Sequence, residues 1–114
     1  MKAQDYVEIY NEELQSSGDV GEAVCKVLME LLKESVSIIK QRKISTNEGL
    51  FAVIDECDQK WRAVCRDVEC MNPEGFIMFL EMRDPELYAS MRAYKDMIAR
   101  KRNSMYITPF STRN

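Results

Sequence analysis

The chain has 114 residues, 46% hydrophobic and 31% charged, with a formal net charge of −3. That balance excludes a polar disordered chain, and the acidic total excludes a surface given over wholly to nucleic acid. Only 4 Gly and 3 Pro punctuate the sequence, too few for the many turns of a small β fold, so long helices in a single domain are expected.

Charge is unevenly placed, with 6 basic and 11 acidic side chains in residues 1–57 against 10 and 8 in residues 58–114. No run of about 18 apolar residues is present to span a bilayer. The opening "MKAQDYVEIYNEE" is acidic where a leader would be basic and then apolar. A cytoplasmic protein with reduced thiols and no membrane contact is the expectation.

Helix starts are read from side chains that can accept the first free amide groups of a helix. Asp5 with Glu8 has the spacing of a capping box, followed by Tyr6, Ile9, Tyr10 and Leu14 at helical spacing, and Gly18 suits the left-handed turn that ends a helix. This predicts a first helix over 5–16. Asp19 with Glu22 opens a second over 19–43, with a wide apolar face (Val24, Val27, Leu28, Leu31, Leu32, Ile38, Ile39) and the basic run "KQRK" at its end.

The box "STNE" at 45–48 opens a third helix over 46–70. In it Leu50, Ile54, Cys57, Trp61, Val64 and Val68 recur at alternating steps of four and three, the mark of a buried seam. Asn72 before Pro73 and Asp84 before Pro85 each set a cap ahead of a proline. They predict a fourth helix over 73–83 and a fifth over 85–103, the latter with Leu87, Met91, Tyr94 and Ile98 on one side. Residues 104–114 show no helical period and read as a tail, docked through Tyr106, Ile107 and Phe110. The predicted fold is all-α: five helices in one antiparallel bundle spanning residues 1–103, with short connections.

The stretch "DECDQKWRAVCRDVEC", residues 55–70, holds three of the four cysteines. On one helix Cys57 and Cys65 would stand about 12 Å apart along the axis and about 80° around it. A disulfide needs Cα atoms within about 7 Å, and zinc holds thiolates at about 2.3 Å, so neither fits. The cysteines are expected to pack as small apolar groups, Cys57 and Trp61 buried while Asp58 and Arg62 face water. Cys70, near the helix end, is the one thiol with a chance of being reactive. No metal or cofactor is expected.

The chain has no histidine, which removes the commonest general base and every triad built on it. Catalysis would fall to carboxylates. Asp55, Glu56 and Asp58, with Glu81 and Asp84, have the acidic pairing by which magnesium-dependent helical nucleotide pyrophosphatases hold their metals, one functional alternative. A second is nucleic-acid contact through Arg92, Lys95, Arg100, Lys101 and Arg102 on the last helix, beside Tyr94 and Tyr106, since phosphates supply affinity and bases stack.

The leading reading rests on apolar surface. "GFIMFLEM" is hydrophobic nearly all round, and Phe76, Ile77, Phe79, Leu80 and Met82 cannot all face one core. With five of the eight methionines (Met71, Met78, Met82, Met91, Met97) between residues 71 and 97, the segment suits an adaptable interface to a protein partner or a second copy. The sequence "CDQKWRAVCRDV", followed by "NPEGFIMFLEMRDPELY", residues 57–88, resembles small uncharacterised helical proteins of bacteriophages and prophages, which share a Trp-Arg helix, an Asn-Pro turn and a Gly-Phe segment. The resemblance implies a phage-encoded binder or regulator of a host or phage component and carries over no functional residues. The expected function is therefore a non-enzymatic interaction protein, with self-association one form of it.

Overall fold

Capping chemistry sets most of the helix boundaries. The computed structural model describes residues 1–69 and 72–111, with side chains described through Asn103. The helices are α1 (Ala3–Ser17), α2 (Val20–Gln41), α3 (Asn47–Val68), α4 (Gly75–Arg83) and α5 (Pro85–Ser111). Among the described residues there is no strand, so the fold is an all-α bundle of five helices.

Asp19 caps α2 by accepting from the Gly21 and Glu22 amides, and Asp84 accepts from the Leu87 amide at 3.2 Å ahead of Pro85. Gly18 takes φ 68° and donates its N–H to the Leu14 carbonyl at 2.8 Å, closing α1 in the conformation that glycine adopts without penalty.

Four starts differ from expectation by one or two residues, that of α2 only because Asp19 is its cap and Val20 its first residue. Asp5 sits inside α1, where its carboxylate accepts the Lys2 amide at 2.7 Å. In α3 the cap is Thr46, whose hydroxyl accepts the Gly49 amide at 3.0 Å. Asn72 accepts the Glu74 amide at 3.0 Å on its side chain and the Gly75 amide at 2.9 Å on its carbonyl. That turn consumes Pro73 and Glu74, so α4 begins at Gly75 rather than 73.

The seam of α3 is buried as its spacing demands: Ile54, Cys57, Trp61 and Val64 lie in the core, with Leu50 and Val68 half-buried at its ends. It packs with Tyr6 and Tyr10 of α1, Val27 and Leu31 of α2, and Phe76 and Leu80 of α4. The Trp61 indole N–H donates to the Asn72 carbonyl at 2.8 Å. A Cβ on Gly75 would stand 3.1 Å from that indole nitrogen, so glycine lets the head of α4 lie against the ring.

Among the described residues α2 packs on α1, α3 and α4 but not on α5, which packs on α3 and α4 alone. Helix α5 is about 40 Å long, yet of its described side chains only Met91 is fully buried. Tyr94 anchors it to α3 by packing on Phe51, ring centroids 5.2 Å apart. The molecule is consequently elongated, 64 × 32 × 23 Å. Residues 104–111, expected as part of a tail, continue α5. A helix with little packed against it needs no apolar period, and no glycine follows Gly75 to end it.

Candidate interaction face and the polar cluster behind it

The fourth helix is not the exposed apolar surface expected of it. Phe76, Phe79 and Leu80 are buried in the core, Ile77 is half-buried, and only Met78 and Met82 are open, at 58% and 70% exposure. Arg83 lies over the Phe79 ring, its guanidinium carbon 5.5 Å from the centroid. Three of the five residues assigned to a partner are thus committed to folding. A helix apolar on every side carries no polar face to tell inside from outside, and α4 sits where α2, α3 and α5 all touch it.

Helix α2 instead carries two distinct surfaces. On the first, Glu34 is the hub of a polar cluster. Lys60 of α3 donates to its Oε1 at 2.7 Å, the Met1 amino group donates to the same oxygen at 2.8 Å, and the Tyr6 hydroxyl donates to Oε2. Glu34 and Lys60 are only 14% and 17% exposed and Tyr6 is fully buried. Burial alone pushes Glu34 up, but hydrogen bonds from Lys60, the Met1 amino group and Tyr6 outweigh it and hold the carboxyl below the ordinary glutamate value. Burial, and then the bond to Glu34, drives the Tyr6 phenol far above its usual range. A carboxylate with three donors and a phenol that keeps its proton form a clamp between α1, α2 and α3. Neither is poised to move a proton.

Beside the clamp, the Ser35 hydroxyl donates to the Leu31 carbonyl at 2.9 Å and is fully buried. Burial raises the Cys57 thiol, and Cys65, also raised by burial, donates to the Asn72 carbonyl at 3.7 Å. Both thiols are therefore held protonated, which agrees with packing rather than chemistry. The third described cysteine, Cys25, is exposed; Cys70 lies outside the described residues, as does Met71.

The second surface of α2 is apolar and partly open: Met29 and Leu32 pack at the edge of the core while keeping solvent exposure. At about 100° per residue, Met29, Leu32, Val36 and Ile39 fall within about 80° of one another, and their centre is displaced about 120° from that of the buried residues Ala23, Val27, Leu28, Leu31 and Ser35. All four are half-buried. Met29, Leu32 and Val36 line a shallow depression with Lys33, Ser37 and Lys40. Next to it, Val36, Ile39 and Lys40 form one wall of a groove that includes Leu50 of α3 and is closed on the other side by Glu86, Leu87 and Ser90 of α5, with Asp84 at its end. The groove exists because α5 leans on α3 without reaching α2. Leu32 and Ile39 were visible in the apolar pattern of the second helix; that they are only half-buried was not.

The remaining candidates separate rather than converge. Asp58 does not face water: it is buried, and Arg62 pairs with it at 3.0 Å while reaching Glu74 at the head of α4 at 3.4 Å. Asp58 borders the seam, and this bridge to α4 draws it inside. Asp55, Glu56 and Glu81 are exposed, Asp84 serves as a cap, and among the described residues no three Cys, Asp or Glu side chains gather as a metal site requires. On α5, Lys95, Arg100, Lys101 and Arg102 are exposed, while Arg92 pairs with Asp96 at 3.6 Å. Tyr94, packed on Phe51, is occupied, and the side chain of Tyr106 lies outside those described. No described helix is long and apolar enough to cross a membrane.

Compared with known proteins, the chain matches no protein-family model, no curated protein and no solved structure.

Proposed function

We propose that the protein works by binding another protein, without catalysis, and that its docking surface is the half-open apolar face of α2 together with the groove between α2 and α5. The observation that carries this reading is the row Met29, Leu32, Val36 and Ile39, continued by Leu50 and Leu87, which among the described residues stays half-open: Met29, Leu32 and Leu87 pack at the edge of the core, and Val36 and Ile39 line open depressions. Leaving such a stripe in water forgoes about 25 cal/mol for each Å² that could be covered, and contiguous exposed apolar surface of this kind marks association sites. The free described cysteines fit a reducing, cytoplasmic setting. The resemblance of residues 57–88 to phage and prophage proteins favours a regulator of a host or phage component. To test the reading, a photo-crosslinking amino acid replaces Val36 in protein produced in its native cells. A discrete protein adduct is expected; the absence of any adduct, with the same probe at exposed Glu12 as background, would sink it.

A second reading has its own observation. Four exposed cations, Lys95, Arg100, Lys101 and Arg102, lie along the half of α5 beyond its anchor at Tyr94, a surface fit for phosphates. It requires salt-sensitive binding to mixed-sequence DNA or RNA that is lost when Arg100, Lys101 and Arg102 are reversed to Glu.

A further inference from the structure

The half-open face of α2 has a period of its own. Cys25, Met29, Leu32, Val36 and Ile39 recur at alternating steps of four and three, the a and d spacing at which one helix receives another. From Cys25 to Ile39 the row runs about 21 Å, or about four turns. Cys25 is exposed and the other four are half-buried. Met29, Leu32, Lys33 and Val36 stand at i, i+3, i+4 and i+7 and line one depression. Four residues so spaced make the hole that takes a side chain from a facing helix, and a helix laid in a groove reads such anchors in turn.

Charge then selects the partner. Lys26, Lys33 and Lys40 repeat every seventh residue along the flank of this row beside Met29 and Val36, and all three are exposed. Lys26 and Lys33 share the one carboxylate of Glu30, at 3.6 and 3.5 Å, while Lys40 forms no ion pair among the described residues. The opposite flank has no such column: Leu50 and Leu87 extend the apolar surface there, with Glu86 exposed on the wall and Asp84 held as a cap. A second copy of the chain answers this pattern poorly. Two antiparallel α2 faces set lysine column against lysine column, and two parallel ones set it against Leu28, Ser35 and Arg42, none of them acidic. Resting on the docking-face reading above, we infer that the occupant of this face is an amphipathic α-helix of a different protein, about four turns long, with apolar residues at a and d spacing and carboxylates along the one edge that meets Lys26, Lys33 and Lys40.

A displayed library of heptad peptides, with Leu at a and d and Glu, Lys or Gln at random on the two edges, tests this when selected on the full chain and counter-selected on a folded Val36→Glu variant. The peptides retained should carry Glu on one edge and lack it on the other, and their binding should shield Cys25 from alkylation. Lys33→Glu combined with Lys40→Glu, both at exposed positions, should weaken the best peptide roughly tenfold, because two favourable pairs become two like-charge contacts. Changing the acidic edge of that peptide to Lys should restore binding to the double variant, a rescue that an apolar contact alone does not give. Retained peptides with basic or uncharged edges overturn the inference, as do indifference to the lysine reversals, failure of the rescue, or no peptide whose binding depends on Val36. A chain that dimerises and shields Cys25 by itself also overturns it, in favour of a second copy. The crosslink from position 36 separates the two levels: an adduct from a chain with no preference for acidic-edged peptides removes this partner and keeps the docking face, whereas no adduct at all removes both.

Discussion

Helix α2 shows two sides of one element put to opposite uses. Around Glu34 three donors converge on one largely buried carboxylate: the Tyr6 hydroxyl, Lys60 and the Met1 amino group. Around Val36 the apolar side chains are half-open, with Lys33, Ser37 and Lys40 between them and solvent. Damage to the first side falls on folding, because a buried group that loses its partner bears its full desolvation cost. Damage to the second falls on association, because those side chains are already partly in water when the chain is alone. Stability and binding should therefore separate cleanly between residues only two positions apart.

The largest effect belongs to Tyr6. Its ring is fully buried among α1, α2 and α3 and its hydroxyl serves the clamp. Tyr6→Ala should cost about 3–5 kcal/mol in chemical denaturation, the range for removing a buried aromatic ring. Tyr6→Phe keeps the ring and withdraws one donor from Glu34, and should cost about 1–1.5 kcal/mol. Equal losses for the two variants would mean that the ring contributes little and the contrast between clamp and core is misplaced.

What could be read from the sequence follows the same division. Helix number and the caps Asp19, Asp84 and Gly18 were legible because these residues act through atoms a few residues away. The seam from Leu50 to Val68 was legible because its period is regular. How deeply each apolar residue of α2 is buried was not, because Leu31 and Leu32 are equally apolar, yet the first is fully buried and the second sits half-open at the edge of the core. Helix α4 misled for the related reason that Phe79 and Met82 look alike in sequence while one is in the core and the other in water. Glu34 left a fainter mark: an acidic residue one turn from both Leu31 and Ile38, on the core side of an amphipathic helix, implies a buried partner. Lys60, 26 residues later, could not have been singled out.

A smaller effect, and a sharper one, comes from titrating the clamp. Glu34→Gln keeps the shape but gives Lys60 a neutral partner, and should cost about 1–3 kcal/mol near neutral pH. Its pH dependence identifies the cause. The folded pKa of Glu34 lies below its unfolded value, so its contribution is complete above the ordinary glutamate pKa and is lost as pH falls through the folded one. The variant should lack that part of the acid limb, and its gap from wild type should narrow under acid conditions. Tyr6 has the opposite sign: the unfolded phenol ionises near pH 10 while the folded one keeps its proton, so stability falls above that pH. Tyr6→Phe should flatten the alkaline limb and leave the acid limb largely in place. A gap between Glu34→Gln and wild type that stays constant with pH would show the cluster to be packing without electrostatics.

The smallest expected effect is the most exacting test. Val36→Ser removes an apolar side chain from the half-open face, and in the isolated chain, where no partner adds to apparent stability, it should shift unfolding by about 0.5 kcal/mol or less. Val and Ser have similar helix propensities, so α2 itself has no reason to respond. A loss above about 2 kcal/mol would show that something in the chain closes over Val36, and the groove between α2 and α5 would then belong to the core. A negligible loss in the isolated chain, alongside weakened binding of the acidic-edged peptides, would place the cost of the substitution where the two sides of α2 predict: in the contact with another molecule, two residues from a carboxylate whose removal the fold itself feels.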